Sequence, residues 1–242
     1  MLKAFVLVGL SALLLQGCAT TKLNGPPDVM FKEGELSFQK GNYEDAIAQW
    51  KKVKESYQLP DLTTRAELNI ADAYFLNKDF IEAAAAYEDF RKLHPKNERA
   101  GYALYQQAMS YFSQIHGIDT DQTPVKNALA TFQSYMTLYP TGENLKAVVE
   151  KIGECHDKQL QYEIYVGKFY YKTEKYPAAI GRFEGALKDF PASARHDEVL
   201  CYLSLTYLQV GQRPKALETF ERLKKEFPAS KFVDEASKAI GK

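Results

Sequence analysis

The residues of this chain best suited to metal or proton chemistry are His94, His116, His156 and His196, Cys155 and Cys201, and the acidic pair Asp119 and Asp121. A catalytic zinc needs three converging ligands, and these histidines are scattered with no second ligand at metal spacing. Cys155 and His156 are neighbours, but adjacent helical residues point about 100° apart, so they make a poor shared site. Asp119 and Asp121 open like a calcium loop, yet the glycine and closing glutamate that such a loop requires are missing. They read instead as polar residues of a helix-capping loop. No phosphate-binding glycine loop or nucleophile elbow is present beyond the N-terminal segment. The chain is therefore expected to catalyse nothing and to hold neither metal nor cofactor.

Cys18 has a different chemical context. Lys3 supplies a positive flank, Ala4 to Leu15 forms an apolar run, and Leu15-Gln16-Gly17-Cys18 closes it. This is the pattern of a secretory signal peptide, too short for the ~20 apolar residues that cross a bilayer. The closing tetrapeptide resembles the bacterial lipobox, which implies cleavage before Cys18 and acylation of its thiol and new amino terminus. Acyl chains contribute about 0.8 kcal/mol per buried methylene, so more than one would anchor the protein firmly. Ala19 follows, where lipoproteins held at the inner membrane carry aspartate, and this points to the outer membrane. Residues 18–28, with Lys22, Asn24, Gly25, Pro26 and Pro27, read as a flexible tether.

Loss of residues 1–17 removes Lys3 alone from the charged set, leaving 30 basic residues against 31 acidic. Without a basic excess to neutralise phosphates, nucleic acid is not an expected partner. Cys155 and Cys201 lie in helix-like apolar surroundings and read as buried free thiols, with a disulfide between them as the alternative.

The elements that must position any binding residue appear as a recurrence. An alanine is followed four residues later by an aromatic at Ala46/Trp50, Ala83/Tyr87, Ala128/Phe132, Ala179/Phe183 and Ala216/Phe220. Pro95, Pro140, Pro191 and Pro228 each stand twelve residues after the alanine, and Pro60 fourteen after the first. Turn signals precede four of the alanines at Gly41-Asn42-Tyr43, Lys78-Asp79-Phe80, Glu174-Lys175-Tyr176 and Gly211-Gln212-Arg213. Residues four apart share a helix face, so the alanine lets two helices approach and the aromatic fills the gap above it. Proline then ends the second helix. One hairpin cannot bury its apolar faces alone, so the expected fold is an all-α solenoid of about five stacked helical hairpins.

These small, turn, alanine, aromatic and proline positions resemble the tetratricopeptide repeat, most closely over residues 63–96 and 159–192. The alanine spacing is uneven, at 37, 45, 51 and 37 residues. Residues 115–123 add a polar loop before the third alanine, with Thr123-Pro124 restarting the helix as cap and first-turn proline. Residues 144–162 read as a prolonged helix. The basic pattern that clamps a chain-terminal carboxylate in some such domains is not evident, since Phe31, Lys32 and Glu35 stand at the matching positions.

A lipobox, five repeats, the Asp119-Thr120-Asp121-Gln122-Thr123-Pro124 insertion, the long helix, and the segment from Gly181 to Pro191 together resemble the BamD family of outer-membrane barrel-assembly lipoproteins. The resemblance implies a place on the periplasmic face of the outer membrane, within the complex that folds and inserts β-barrels. It implies that residues 98–242 meet the last POTRA domain of the barrel-forming subunit BamA, beside other lipoproteins of that complex. Residues 29–97 would receive unfolded barrel substrates along a groove of Phe31, Glu35, Arg65, Asn69 and Asp72. Arg182 would meet a carboxylate of the POTRA domain, with Glu184 flanking the contact. The alternative is a pilotin-like repeat lipoprotein serving a secretin or pilus machine, for which more regular repeats are expected.

Overall fold

The computed structural model describes residues 25–56, 59–191 and 193–241. The expected signal peptide 1–17, Cys18 and most of the expected tether lie outside the described residues. Those described form eleven α-helices and no strand: α1 Pro27–Gln39, α2 Tyr43–Ser56, α3 Pro60–Leu76, α4 Phe80–Leu93, α5 Ala100–Ser113, α6 Thr123–Leu138, α7 Leu145–Lys172, α8 Tyr176–Asp189, α9 His196–Gln209, α10 Arg213–Glu226 and α11 Lys231–Ile240. Every extensive helix–helix contact is between helices adjacent or next but one in the chain. That is the contact pattern of a solenoid, five hairpins with α11 closing the last core.

The alanine and aromatic pairs lie where the spacing puts them. All five alanines are fully buried, and Trp50, Tyr87, Phe132 and Phe183 are at most 1% exposed, with Phe220 at 7%. Their counterpart on the first helix of each hairpin is a small residue: Gly34, Ala71, Ala108, Gly167 and Ser204, all buried. A Cβ on Gly34 would stand 2.5 Å from Trp50 Nε1, and one on Gly167 would stand 2.5 Å from Phe183 Cε1. The largest plugs thus require the smallest seats.

Proline stops four of the second helices as expected. His94, Tyr139, Phe190 and Phe227 each immediately precede a proline and leave the helical region, with φ between −134° and −124° and ψ between 57° and 61°. The ring of the following proline forbids the α conformation there. Pro60 does otherwise. It opens α3, where its missing N–H costs nothing. Thr123 likewise is the first residue of α6 rather than its cap, and Asp121 Oδ1 accepts both its N–H and its hydroxyl.

Four hairpin turns share one geometry. Gly41, Lys78, Glu174 and Gly211 take positive φ, from 60° to 78°. The next residue's N–H reaches back to the carbonyl of Ser37, Tyr74, Tyr170 or Tyr207 at 2.9 Å. Glycine adopts this left-handed cap freely, whereas a lysine or glutamate is strained. Lys78→Gly and Glu174→Gly are each expected to stabilise the fold by roughly 0.5–1 kcal/mol, the strain relief being partly offset by the freer unfolded chain. A urea midpoint lowered by either substitution would show that these side chains make compensating contacts.

The uneven spacing has a structural meaning. The small residue precedes the alanine by 12 positions in four hairpins and by 20 in the third, and the extra eight form the loop between α5 and α6. Between Ala128 and Gly167 lie 14 more positions than in the other repeats, and these lengthen α7 to 28 residues without a break. Fourteen residues are close to four helical turns, so the added length returns the apolar face to nearly the same direction. Val148 and Cys155 accordingly join the core under α5 and α6, and Leu160 and Ile164 the core under α8 and α9.

Candidate partner-binding surface

On α8, Ala179 and Phe183 face the core, and this orientation carries Arg182 toward α7. Its Nη1 donates to Glu163 Oε2 at 3.0 Å and Oε1 at 3.3 Å. The bond to Glu163 raises the guanidinium pKa further, so the group stays charged. Glu163 engages Nη1 alone, and the Arg182 side chain remains 40% exposed. The free edge can serve a second carboxylate in a planar fork.

Glu184 does not flank this contact. It stands two residues on, about 200° round the helix, and there accepts a hydrogen bond from the Tyr207 hydroxyl of α9. Burial and that bond push the Tyr207 phenol up to about 12. Arg182 and Glu184 therefore belong to different faces of α8, and the expectation that they act together is corrected.

The N-terminal residues form a connected polar surface. Arg65 Nη2 lies 3.3 Å from Glu35 Oε1, and its guanidinium covers the Phe31 ring at 4.5 Å. Phe31 is only 3% exposed and sits in the first core, so its ring meets Arg65 rather than an open groove. Arg65, Asn69 and Asp72 recur at helical spacing on one face of α3. Asp72 Oδ1 accepts the hydroxyls of Tyr87 at 2.6 Å and Tyr102 at 2.8 Å. Burial raises the Asp72 pKa, while the two hydroxyls and the nearby charge of Arg99 oppose the rise.

Tyr102 and Gln106 extend the surface onto α5. Gln106 Nε2 donates to the Tyr102 hydroxyl at 3.1 Å, and Arg99 stacks on the Tyr102 ring at 4.5 Å. Sequence reasoning passed over these residues, although the signal was present. Tyr102 and Gln106 stand 37 positions after Arg65 and Asn69, the same interval as between the first two repeat alanines.

Four of the residues suited to chemistry are committed elsewhere. His94 Nε2 meets Glu67 Oε2 at 2.5 Å, and His196 Nε2 meets the Phe190 carbonyl at 2.7 Å. Cys155 and Cys201 are free and fully buried in different cores, and burial pushes each thiol up to about 12. Among the described residues no three His, Cys, Asp or Glu side chains converge as a metal nest, and no helix is long and apolar enough to cross a membrane.

Comparison with known proteins places the chain. It is 27% identical to the outer membrane protein assembly factor BamD of Caulobacter vibrioides, over 77% of this chain and 61% of that one. It thus spans less than two thirds of the length of that relative. The BamD of Rickettsia prowazekii is 28% identical over 87% of this chain and 84% of its own length. The BamD of Vibrio cholerae is 25% identical over 87% of this chain and 93% of its own length. Residues 24–216 match the family described as YfiO, outer membrane lipoprotein. The chain belongs to the YfiO family of outer membrane lipoproteins.

Proposed function

We propose that this chain is a non-catalytic subunit of the machinery that assembles β-barrel proteins in the outer membrane, held on its periplasmic face by lipid at Cys18. The observation that carries this reading is the match of a solenoid-forming segment, residues 24–216, to a family whose relatives are named outer membrane protein assembly factors. A stack of hairpins with polar faces on both halves suits a scaffold that holds two proteins at once.

Within this reading the two halves divide the work. Residues 29–97 receive unfolded barrel segments along Glu35, Arg65, Asn69 and Asp72. Residues 98–242 dock the last POTRA domain of BamA through Arg182, and the same complex brings further lipoproteins. Packing runs on across the division, since Tyr87 of α4 and Tyr102 of α5 share the Asp72 carboxylate.

Affinity purification of the full-length lipoprotein from detergent-solubilised outer membranes tests the reading. A POTRA-bearing barrel protein is expected in the eluate; a secretin in its place would assign the chain to pilus or secretion machinery. Cys18→Ser is expected to leave the repeats folded and release the protein from membranes. A Cys18→Ser protein that still sediments with membranes stripped of partner proteins would show that lipid is not the anchor.

A further inference from the structure

The eight extra residues of the third hairpin carry Ile118 over the fourth hairpin, where no packing requirement of the repeat explains it. There Ile118, Tyr165 and Phe169 line one open hollow of about 470 Å³ between the loop, α7 and α9. They are 37%, 44% and 52% exposed, although each is a large apolar or aromatic side chain. Buried Ile164 stands among them. Tyr165 and Phe169 lie one helical turn apart, so their rings share a face, and Ile118 adds an aliphatic side chain from a separate element.

Charge in the hollow is one-sided. Lys168, Lys172 and Arg195 line it against the single carboxylate of Glu198. Lys168 is satisfied, with Nζ 2.6 Å from Glu198 Oε1. Arg195 gives only Nε to Asp157, at 2.6 Å, and Gln161 Nε2 holds the other Asp157 oxygen at 2.6 Å. Lys172 is exposed and makes no ion pair among the described residues.

We propose that this hollow is a docking site for an extended segment of a partner protein in which aromatic residues alternate with aspartate or glutamate. Side chains of an extended strand alternate between two sides. Aromatic rings entering the hollow would stack on Tyr165, Phe169 and Ile118, while the intervening carboxylates, held at its rim, are reached by the long side chains of Lys172 and Arg195. A basic or purely aliphatic segment would leave Lys172 without counter-charge and the outer edge of the Arg195 guanidinium unused. Neither Arg182 nor Glu163 lines the hollow, and the proposal does not depend on which complex the protein joins.

The test uses the full chain in detergent and a capped, fluorescein-labelled octapeptide alternating phenylalanine and glutamate, read by fluorescence anisotropy. Saturable binding is expected, weakened about tenfold by Phe169→Ser and about tenfold by Lys172→Glu. Both side chains are exposed, so circular dichroism should be unchanged. Ile81→Ser, at a residue 70% exposed on α4, is expected to leave binding unaltered. The same peptide with lysine for glutamate should bind at least about tenfold more weakly. Absence of saturable binding, equal binding of the lysine peptide, or unchanged affinity in folded Phe169→Ser and Lys172→Glu proteins would each overturn the proposal. Binding confined to an uncapped peptide would overturn it too, by assigning the hollow to a chain-terminal carboxylate.

Discussion

Trp50→Ala is expected to destabilise the first hairpin by about 3–5 kcal/mol, among the larger costs a single core truncation can carry. The indole is 1% exposed and packs between Phe31 and Phe38, with ring centroids 6.2 Å and 5.6 Å away. Its Nε1 donates to the Phe31 carbonyl at 3.1 Å, a buried bond across the hairpin that alanine cannot replace. Gly34 cannot collapse into the vacated space, because it has no side chain to bring. In a solenoid each repeat leans only on its neighbours, so the loss should appear as early melting of α1 and α2 while later hairpins persist. Hydrogen exchange along the chain, together with urea denaturation, would resolve this. A loss below about 1 kcal/mol would mean that the first hairpin tolerates the cavity and that Trp50 does not govern its packing.

Arg182→Glu is expected to leave the fold intact and to cost about 2–5 kcal/mol in binding to the isolated POTRA region of BamA. The two expectations differ because the native pair is half in water. With Arg182 40% and Glu163 25% exposed, screening leaves the ion pair worth at most about 1 kcal/mol to stability. At a closed interface the same guanidinium would be desolvated, and on the proposed docking reversal would set the introduced carboxylate against both Glu163 and the partner carboxylate that Arg182 is proposed to meet. The double variant Arg182→Glu with Glu163→Arg separates the two effects. It should restore the internal pair and any lost stability, yet bind the POTRA region no better than the single variant. Calorimetric titration would decide: recovery of full affinity by the double variant would show that net charge at this surface suffices, and wild-type affinity in the single variant would remove Arg182 from the interface.

Much of the fold was legible because its rules are local. An alanine and an aromatic four residues apart must share a face, and a proline must eject the residue before it from the helix. Repetition of those rules at Ala46, Ala83, Ala128, Ala179 and Ala216 was enough to count the hairpins. The same reasoning misjudged Pro60, since a proline that follows one helix and a proline that starts the next are identical in sequence when the connection is short. It also placed Thr123 as a cap, although Asp121 two residues earlier offered a better acceptor for the free N–H groups.

The candidate sites were legible only in part. Position along α8 sufficed to turn Arg182 away from the core, because Ala179 and Phe183 occupy the inward face. Its partner Glu163 lies 19 residues upstream on another helix, and no spacing rule connects them. The resemblance set Glu184 beside Arg182, but helical geometry sends the two in nearly opposite directions. Phe31 was placed in a groove by the family resemblance, while packing in the first core buried it and laid Arg65 over its ring.

What the sequence by itself determined, then, is the architecture of the described residues: five hairpins, one insertion and one lengthened helix. Each follows from interactions within a few turns of chain, where periodicity and turn chemistry act directly. What only the tertiary structure decided is which side chains meet across helices. Glu163 claims one face of Arg182, two tyrosines claim the Asp72 carboxylate, and the inserted loop brings Ile118 to Tyr165 and Phe169. Those meetings depend on the length of α7 and on the rotation between successive hairpins, quantities that arise from summed packing and leave no pattern in any single stretch of sequence.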